Sequence, residues 1–310
     1  MPLTPARRLI CPMPVAAPMH PSPDWGALRP SPPFRSIPAT PAMEVKPTMP
    51  ADIIAFCNQK GGVGKTTETF HLTDAAARAG KRVLVIDIDP QGNLSTVLAA
   101  QPLALDDLGV ADVLSDSSGA TIDDTLVPCI WSGVDMVPTV PGNESLAYVR
   151  DQLVVAGAGR ERRLRDALEA VADQYDVILI DCPPSLDLLT INALVAARKV
   201  VVVSQSALFS ANGLARLRRT IDAVRRSYNA DLQLLGAVIN LHENQTIAGR
   251  EQLTEIAASI NVLGDPVPKR VVIKDSMESQ TSLKDWGTTQ ARSLWTIYRD
   301  TIAILIDGEQ

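Results

Sequence analysis

From residue 51 onward, short runs of aliphatic and β-branched residues alternate with longer stretches whose apolar positions recur at helical spacing. That alternation predicts an α/β fold with a mostly parallel central sheet flanked by helices on both faces, since parallel strands need crossovers and are buried on both sides. The runs place strands at 53–57, 83–87, 134–137, 176–181, 199–203 and 234–239. Asp87, Asp181 and Asn240 stand where three of them end. Ligands of open α/β sheets lie beyond the carboxyl ends of the strands, so these side chains are expected to converge on one site. Residues 1–50 break the pattern: they hold more than half of the 23 prolines and no regular apolar period. They are predicted to be disordered, because such a stretch cannot bury enough surface to offset its chain entropy. The expected organisation is a Pro-rich segment over 1–50 and a nucleotide-type α/β domain over 51–310. Translation starting at Met43 or Met49 would make the first segment an upstream artefact.

A chain of 310 residues with 46% hydrophobic and 21% charged residues is long enough for one large core. The net charge of −6 argues against a protein that coats nucleic acid with its whole surface, so any contact with DNA must be a local basic patch. Cys11, Cys57, Cys129 and Cys182 are too scattered for a zinc cluster or a redox pair and read as reduced, cytosolic thiols. Cys57 and Cys182, at strand ends, read as small buried hydrophobes. His20, His71 and His242 do not cluster, and no run approaches the roughly 18 apolar residues of a membrane span.

The stretch Lys60-Gly61-Gly62-Val63-Gly64-Lys65-Thr66-Thr67 sits where strand 53–57 gives way to a helical pattern. Glycines there let consecutive N–H groups close around a phosphate, while Lys65 supplies a point charge and the Thr66 hydroxyl a magnesium ligand. A dinucleotide loop would need a third glycine where this chain has threonine. An ordinary P-loop would have glycine at the position of Gln59 and does not ask for a second lysine at position 60.

With those residues the chain resembles the ParA/MinD family of P-loop ATPases, whose deviant Walker A motif reads KGGxGKTT. The resemblance implies a P-loop NTPase fold, ATP and Mg2+ as cofactors, and a role for Lys60 at the nucleotide of a partner subunit. It assigns Asp89, in Asp87-Ile88-Asp89-Pro90, to orienting water and places Asp87 near the magnesium shell. Asp181-Cys182-Pro183-Pro184-Ser185 matches the family's DxPPS text, with Asp181 holding magnesium and the prolines stiffening a switch loop. Asn240 matches a position that contacts adenine, and Pro268-Lys269-Arg270 resembles a loop that packs against the base. An amide can meet adenine's donor and acceptor together, which favours ATP over GTP. The region after Gln205 departs from the family's commoner text at Val203 and Ala207.

The chain's final stretch lacks the basic face of a membrane-binding helix, so a membrane role is not expected. The resemblance then points to a small ParA of chromosome or plasmid type. It implies a homodimer when ATP is bound, sequence-blind binding to double-stranded DNA, and hydrolysis stimulated by a ParB-like centromere-binding partner, in the cytoplasm on the nucleoid. Arg216, Arg218, Arg219, Arg225 and Arg226, with Lys269, Arg270 and Lys274, are the candidate DNA patch, although Gln245 stands where relatives often have arginine. Two alternatives are a related ATPase that positions a protein cargo and a DNA-binding regulator that uses ATP only as a conformational sensor. Deletion of residues 1–48 is expected to leave the melting temperature and ATP affinity unchanged; a large fall in melting temperature would contradict the domain boundary.

Overall fold

The computed structural model describes residues 51–243 and 246–308. Segment 1–50 and Gln245 therefore lie outside the described residues. In chain order, β1 (Asp52–Cys57) leads through the glycine-rich loop into α1 (Lys65–Arg78), followed by β2 (Val83–Asp87), α2 (Asn93–Leu98), α3 (Val110–Leu114) and α4 (Ile122–Thr125). Next come β3 (Val127–Pro128), β4 (Val134–Val137), α5 (Ser145–Val155), α6 (Arg163–Leu168), β5 (Val177–Asp181) and α7 (Leu188–Ala196). The last third holds β6 (Lys199–Gln205), α8 (Ala211–Ser227), β7 (Gln233–Asn240), α9 (Ile247–Ser259), α10 (Val271–Glu278) and α11 (Thr289–Asp307).

The seven strands are ordered β3-β4-β2-β5-β1-β6-β7, and every pairing is parallel except β3 with β4. All six strands expected from the apolar runs are present. The seventh, β3, is a two-residue edge ending in Pro128; proline cannot donate to a ladder and is tolerated at an edge.

Alternation along each strand divides the core in two. Ile53, Ala55 and Cys57 of β1 face one helical layer with Ile178 and Ile180 of β5, while Ile54 and Phe56 face the other with Leu179. Helices α5, α6, α7 and α8 cover the first face, and α1, α10 and α11 cover the second. Helix α8 buries Leu214, Leu217, Ile221 and Val224, a stripe at helical spacing that turns its arginines away from the sheet. On α11 the buried stripe is Ala291, Leu294, Tyr298, Ile302 and Leu305, and Lys199 ties its C-terminal end by donating from Nζ to the Leu305 carbonyl at 2.8 Å. Among the described residues, no helix is long and apolar enough to cross a membrane.

The helix after the glycine loop is unusual in burying polar side chains. Asp74 is satisfied by the Ser282 hydroxyl at 2.5 Å, the Trp295 indole N–H at 3.0 Å and Arg78 at 2.7 Å. Nearly two turns closer to the loop, Glu68 is fully buried, and among the described residues neither carboxylate oxygen has a hydrogen-bond partner. Burial pushes its carboxyl up from 4.5 to about 8. The buried His71 imidazole, 4.6 Å from the Tyr298 ring, is pushed down to about 4, again chiefly by burial.

A carboxyl raised in the folded state binds its proton more tightly there than in the unfolded chain. Its contribution is therefore fully present below pH 4.5 and is lost as pH rises through about 8. Over that window the loss is about 5 kcal/mol. Glu68→Gln is expected to melt with wild-type near pH 4.5 and several degrees higher at pH 8.5. Parallel melting curves across the whole range would show that Glu68 is not a buried, neutral acid.

Candidate nucleotide site

The adjacency of β1 and β5 builds the site. In the parallel register Phe56 lies opposite Asp181, and Asp87 of β2 lies opposite Asp181 on its other side. The loop leaving β1 thus passes over two carboxylates from neighbouring strands. Thr66, in the first turn of α1, donates its hydroxyl to Asp181 Oδ2 at 2.7 Å. Asp181 Oδ1 is buried with no partner among the described residues. Asp87 is also fully buried, and it accepts from the Ser95 amide at 2.9 Å, the Ser95 hydroxyl at 2.7 Å and the Asp89 amide at 3.2 Å.

Both carboxyls are raised above the ordinary range. For Asp181 the causes are burial, then the charge of Asp87, opposed by the Thr66 hydrogen bond and Lys65. For Asp87 burial dominates, opposed by its hydrogen bonds to Ser95 and Asp89. Two buried acids, an orphaned carboxylate oxygen and a threonine hydroxyl form a set of hard oxygen donors with surplus negative charge, which fits Mg2+. Thr66 and Asp181 would hold it. Asp87, with three hydrogen bonds already in place, fastens the turn between β2 and α2.

Over this floor opens a cleft of about 950 Å3, lined by Gly61, Gly62, Gly64, Lys65, Thr66, Thr67 and Asp89. Lys65 is almost buried, at 6% exposure, and Asp89 accepts from the Gln91 amide at 3.0 Å. Gly64 caps α1 at φ 93°, and a Cβ there would come within 2.0 Å of the Asn240 amide nitrogen. Glycine is therefore demanded twice, by backbone conformation and by space. Val63 has a different duty: its side chain is in the core, and its carbonyl accepts from Asn240 Nδ2 at 3.4 Å.

The far wall of the cleft contains Asn240, Arg270 and Lys274. Pro268 and Lys269 are outside its lining. Pro268 bridges to His242, and Lys269 is exposed and pairs with Glu243 at 3.7 Å. The basic residues of α8 also separate. Arg218 donates to the Ser259 carbonyl at 2.8 Å and Arg225 to the Leu232 carbonyl at 2.6 Å, so these two fasten the helix to its surroundings. Arg216 and Arg219 line a second cavity beside Lys60, and Arg226 is exposed.

Three loop-holding residues escape sequence reading. Gln205 at the end of β6 donates from Nε2 to the Gly62 carbonyl at 2.6 Å. Asn58 donates to the Val203 carbonyl at 2.7 Å and accepts from the Lys60 amide at 3.0 Å. Ser95 is the third. Gln205 and Asn58 carry the same signal as Asp181, a polar residue at the carboxyl end of an apolar run; Ser95 carries none.

Fold and site together define a P-loop nucleotide-binding protein. A family model described as an AAA domain matches residues 51–234. The chain is 40% identical over 204 residues to the sporulation initiation inhibitor protein Soj of Bacillus subtilis, covering 66% of this chain and 78% of Soj. It is 38% identical over 233 residues to the chromosome partitioning protein ParA of Caulobacter vibrioides, covering 74% of this chain and 84% of that protein. Among solved structures, cobyrinic acid a,c-diamide synthase from Mycobacterium smegmatis with bound ATP analog and magnesium superposes with a TM-score of 0.71 at 32% identity, over 84% of this chain and 97% of the synthase. The chain belongs to the ParA/MinD family of P-loop ATPases, whose cofactors are ATP and Mg2+.

Asp181→Asn is expected to abolish the tightening of nucleotide binding by Mg2+, while affinity without the metal stays within about threefold of wild-type. Titration of a fluorescent ADP analogue with and without Mg2+ reads both; a full magnesium effect in the variant would remove Asp181 from the metal site.

Proposed function

We propose that this ParA-type ATPase partitions DNA, with nucleotide state controlling dimerisation and dimerisation controlling affinity for duplex DNA. The observation that supports it most is the division of the two lysines. Lys65 is nearly buried in the cleft, whereas Lys60, one residue before Gly61, is exposed and is not part of the cleft lining. A cation placed there is suited to phosphates held by a second subunit. The partitioning reading, rather than a biosynthetic one, is also supported by the names of the ParA and Soj relatives and by the basic residues beside the loop.

In this reading the backbone of Gly61 to Thr66 and the Lys65 ammonium bind the phosphates of ATP. Thr66 and Asp181 hold Mg2+, which neutralises charge on the phosphate oxygens when bound. Asp89 orients the attacking water from the mouth of the β2 turn. Asn240 keeps the loop in its left-handed turn at Gly64 and borders the pocket for the base. Lys60 of each subunit stabilises the other's phosphates, so the pair holds together only while the charge of the γ-phosphate is present. Exposed Arg226, together with Arg270, Lys269 and Lys274, offers sequence-blind phosphate contacts to DNA. Arg216 and Arg219 border that surface, while Arg218 and Arg225 support it from behind. A ParB-like, DNA-bound partner stimulates hydrolysis and so releases the complex, in the cytoplasm on the nucleoid.

Lys60→Ala tests the central step. The variant is expected to bind ATP within about threefold of wild-type, while ATP-dependent dimerisation, duplex binding and turnover fail together. Light scattering with ATP and Mg2+ decides it: a dimer formed at wild-type concentrations would eliminate the action of Lys60 across subunits and the switch built on it.

A further inference from the structure

The phosphate loop is a wall between two cavities. Gly61, Gly62 and residues 64–67 line the nucleotide cleft, and residues 58–60 line a separate cavity of about 550 Å3. This second space is lined from the loop by Asn58 and Lys60 and from the first turns of α8 by Asn212, Arg216 and Arg219. Its floor is apolar, from Val202 of β6 and from Leu214 and Leu217 of α8.

Among the described residues, three cations line the cavity and no acidic side chain does. Packing of α8 explains why they gather. The stripe Leu214, Leu217, Ile221 and Val224 is committed to the sheet, and Arg218 and Arg225, seven residues apart, are drawn to carbonyls on one flank. Arg216 and Arg219, three apart, share the other flank and point their helix face at the loop. Among the described residues neither forms an ion pair, whereas Arg225 is paired with Asp222 at 3.5 Å. A concave, partly apolar space that holds two guanidiniums without ion pairs focuses its field on any anion that enters. Guanidinium forks bind phosphate oxygens in pairs, and the Asn212 amide adds a neutral donor.

We propose that this cavity is a second anion site, distinct from the nucleotide cleft, that takes a small free oligophosphate. Its size lies in the range of small-ligand pockets, and its concave shape suits a compact anion rather than the convex side of a duplex. The wall is shared: Asn58 is bonded to the Lys60 amide at 3.0 Å, and Gln205 to the Gly62 carbonyl at 2.6 Å. Occupancy of the cavity therefore acts on the loop, and the coupling to nucleotide affinity is reciprocal. The proposal concerns a single ADP-bound subunit and stands apart from the partitioning reading.

The test is calorimetric titration of sodium tripolyphosphate into the full chain saturated with a fluorescent ADP analogue, in magnesium-buffered solution with matched blanks. One equivalent is expected to bind without displacing the analogue. Arg216→Ala/Arg219→Ala should weaken that binding at least tenfold, Arg216→Lys/Arg219→Lys less, and Arg226→Ala should leave it unchanged. Release of the analogue in step with the heat would mean that tripolyphosphate occupies only the nucleotide cleft, which overturns the proposal. So would wild-type binding by the double alanine variant, or a double variant that loses duplex DNA binding where the wild-type takes up no tripolyphosphate.

Discussion

The hydrogen bond from Thr66 to Asp181, 2.7 Å long and 115 residues apart in sequence, is the contact on which the site depends. It exists because β1 and β5 are neighbours in parallel register, which brings the loop after one strand over the carboxylate that ends the other. β2 adds Asp87 at the same level. Negative charge is thereby concentrated in a water-poor place, at a cost that a divalent cation offsets. Every other feature of the cleft keeps the loop in position above that charge. Gln205 holds Gly62, Asn240 holds Val63 and occupies the space a side chain at position 64 would need, and Ser95 holds Asp87.

The two helical layers contribute differently to this arrangement. On the face carrying α7 and α8, packing is conventional: apolar stripes meet the sheet, and long basic side chains end on carbonyls or at the surface. On the face carrying α1, polar groups go inside. Asp74 is compensated by Ser282, Trp295 and Arg78, which fixes the helix behind the loop against α11. Glu68 is not compensated by any group among the described residues and is kept neutral by burial instead. A helix that must begin at the phosphates cannot slide to hide its polar residues better, so it carries this cost in place.

The same constraint shapes the basic surface. Residues 58–60 must leave β1 at a fixed angle for the glycines to close on phosphate, and α8 must bring its leucines to the sheet. Arg216, Arg219 and Lys60 are left facing one space as a result. Neither the loop nor the helix predicts that meeting alone. It follows from β6 lying next to β1.

What the sequence determined by itself is local. Buried parallel strands read as unbroken apolar runs, so all six main strands were visible, and three glycines beside Lys65 and Thr66 admit little except a phosphate loop. The family likeness of Asp181-Cys182-Pro183-Pro184-Ser185 was visible for the same reason. Only tertiary structure decided which polar residues face which neighbour. Asp87 is held by Ser95, Pro268 bridges to His242, and Lys269 pairs with Glu243, and none of these neighbours is named by the sequence around them. The five arginines of α8 read as one charged face, yet two of them end on carbonyls and two face the loop. Periodicity tells which side of a helix is apolar. It cannot tell what the other side meets, because those contacts join segments tens to hundreds of residues apart and are set by strand order.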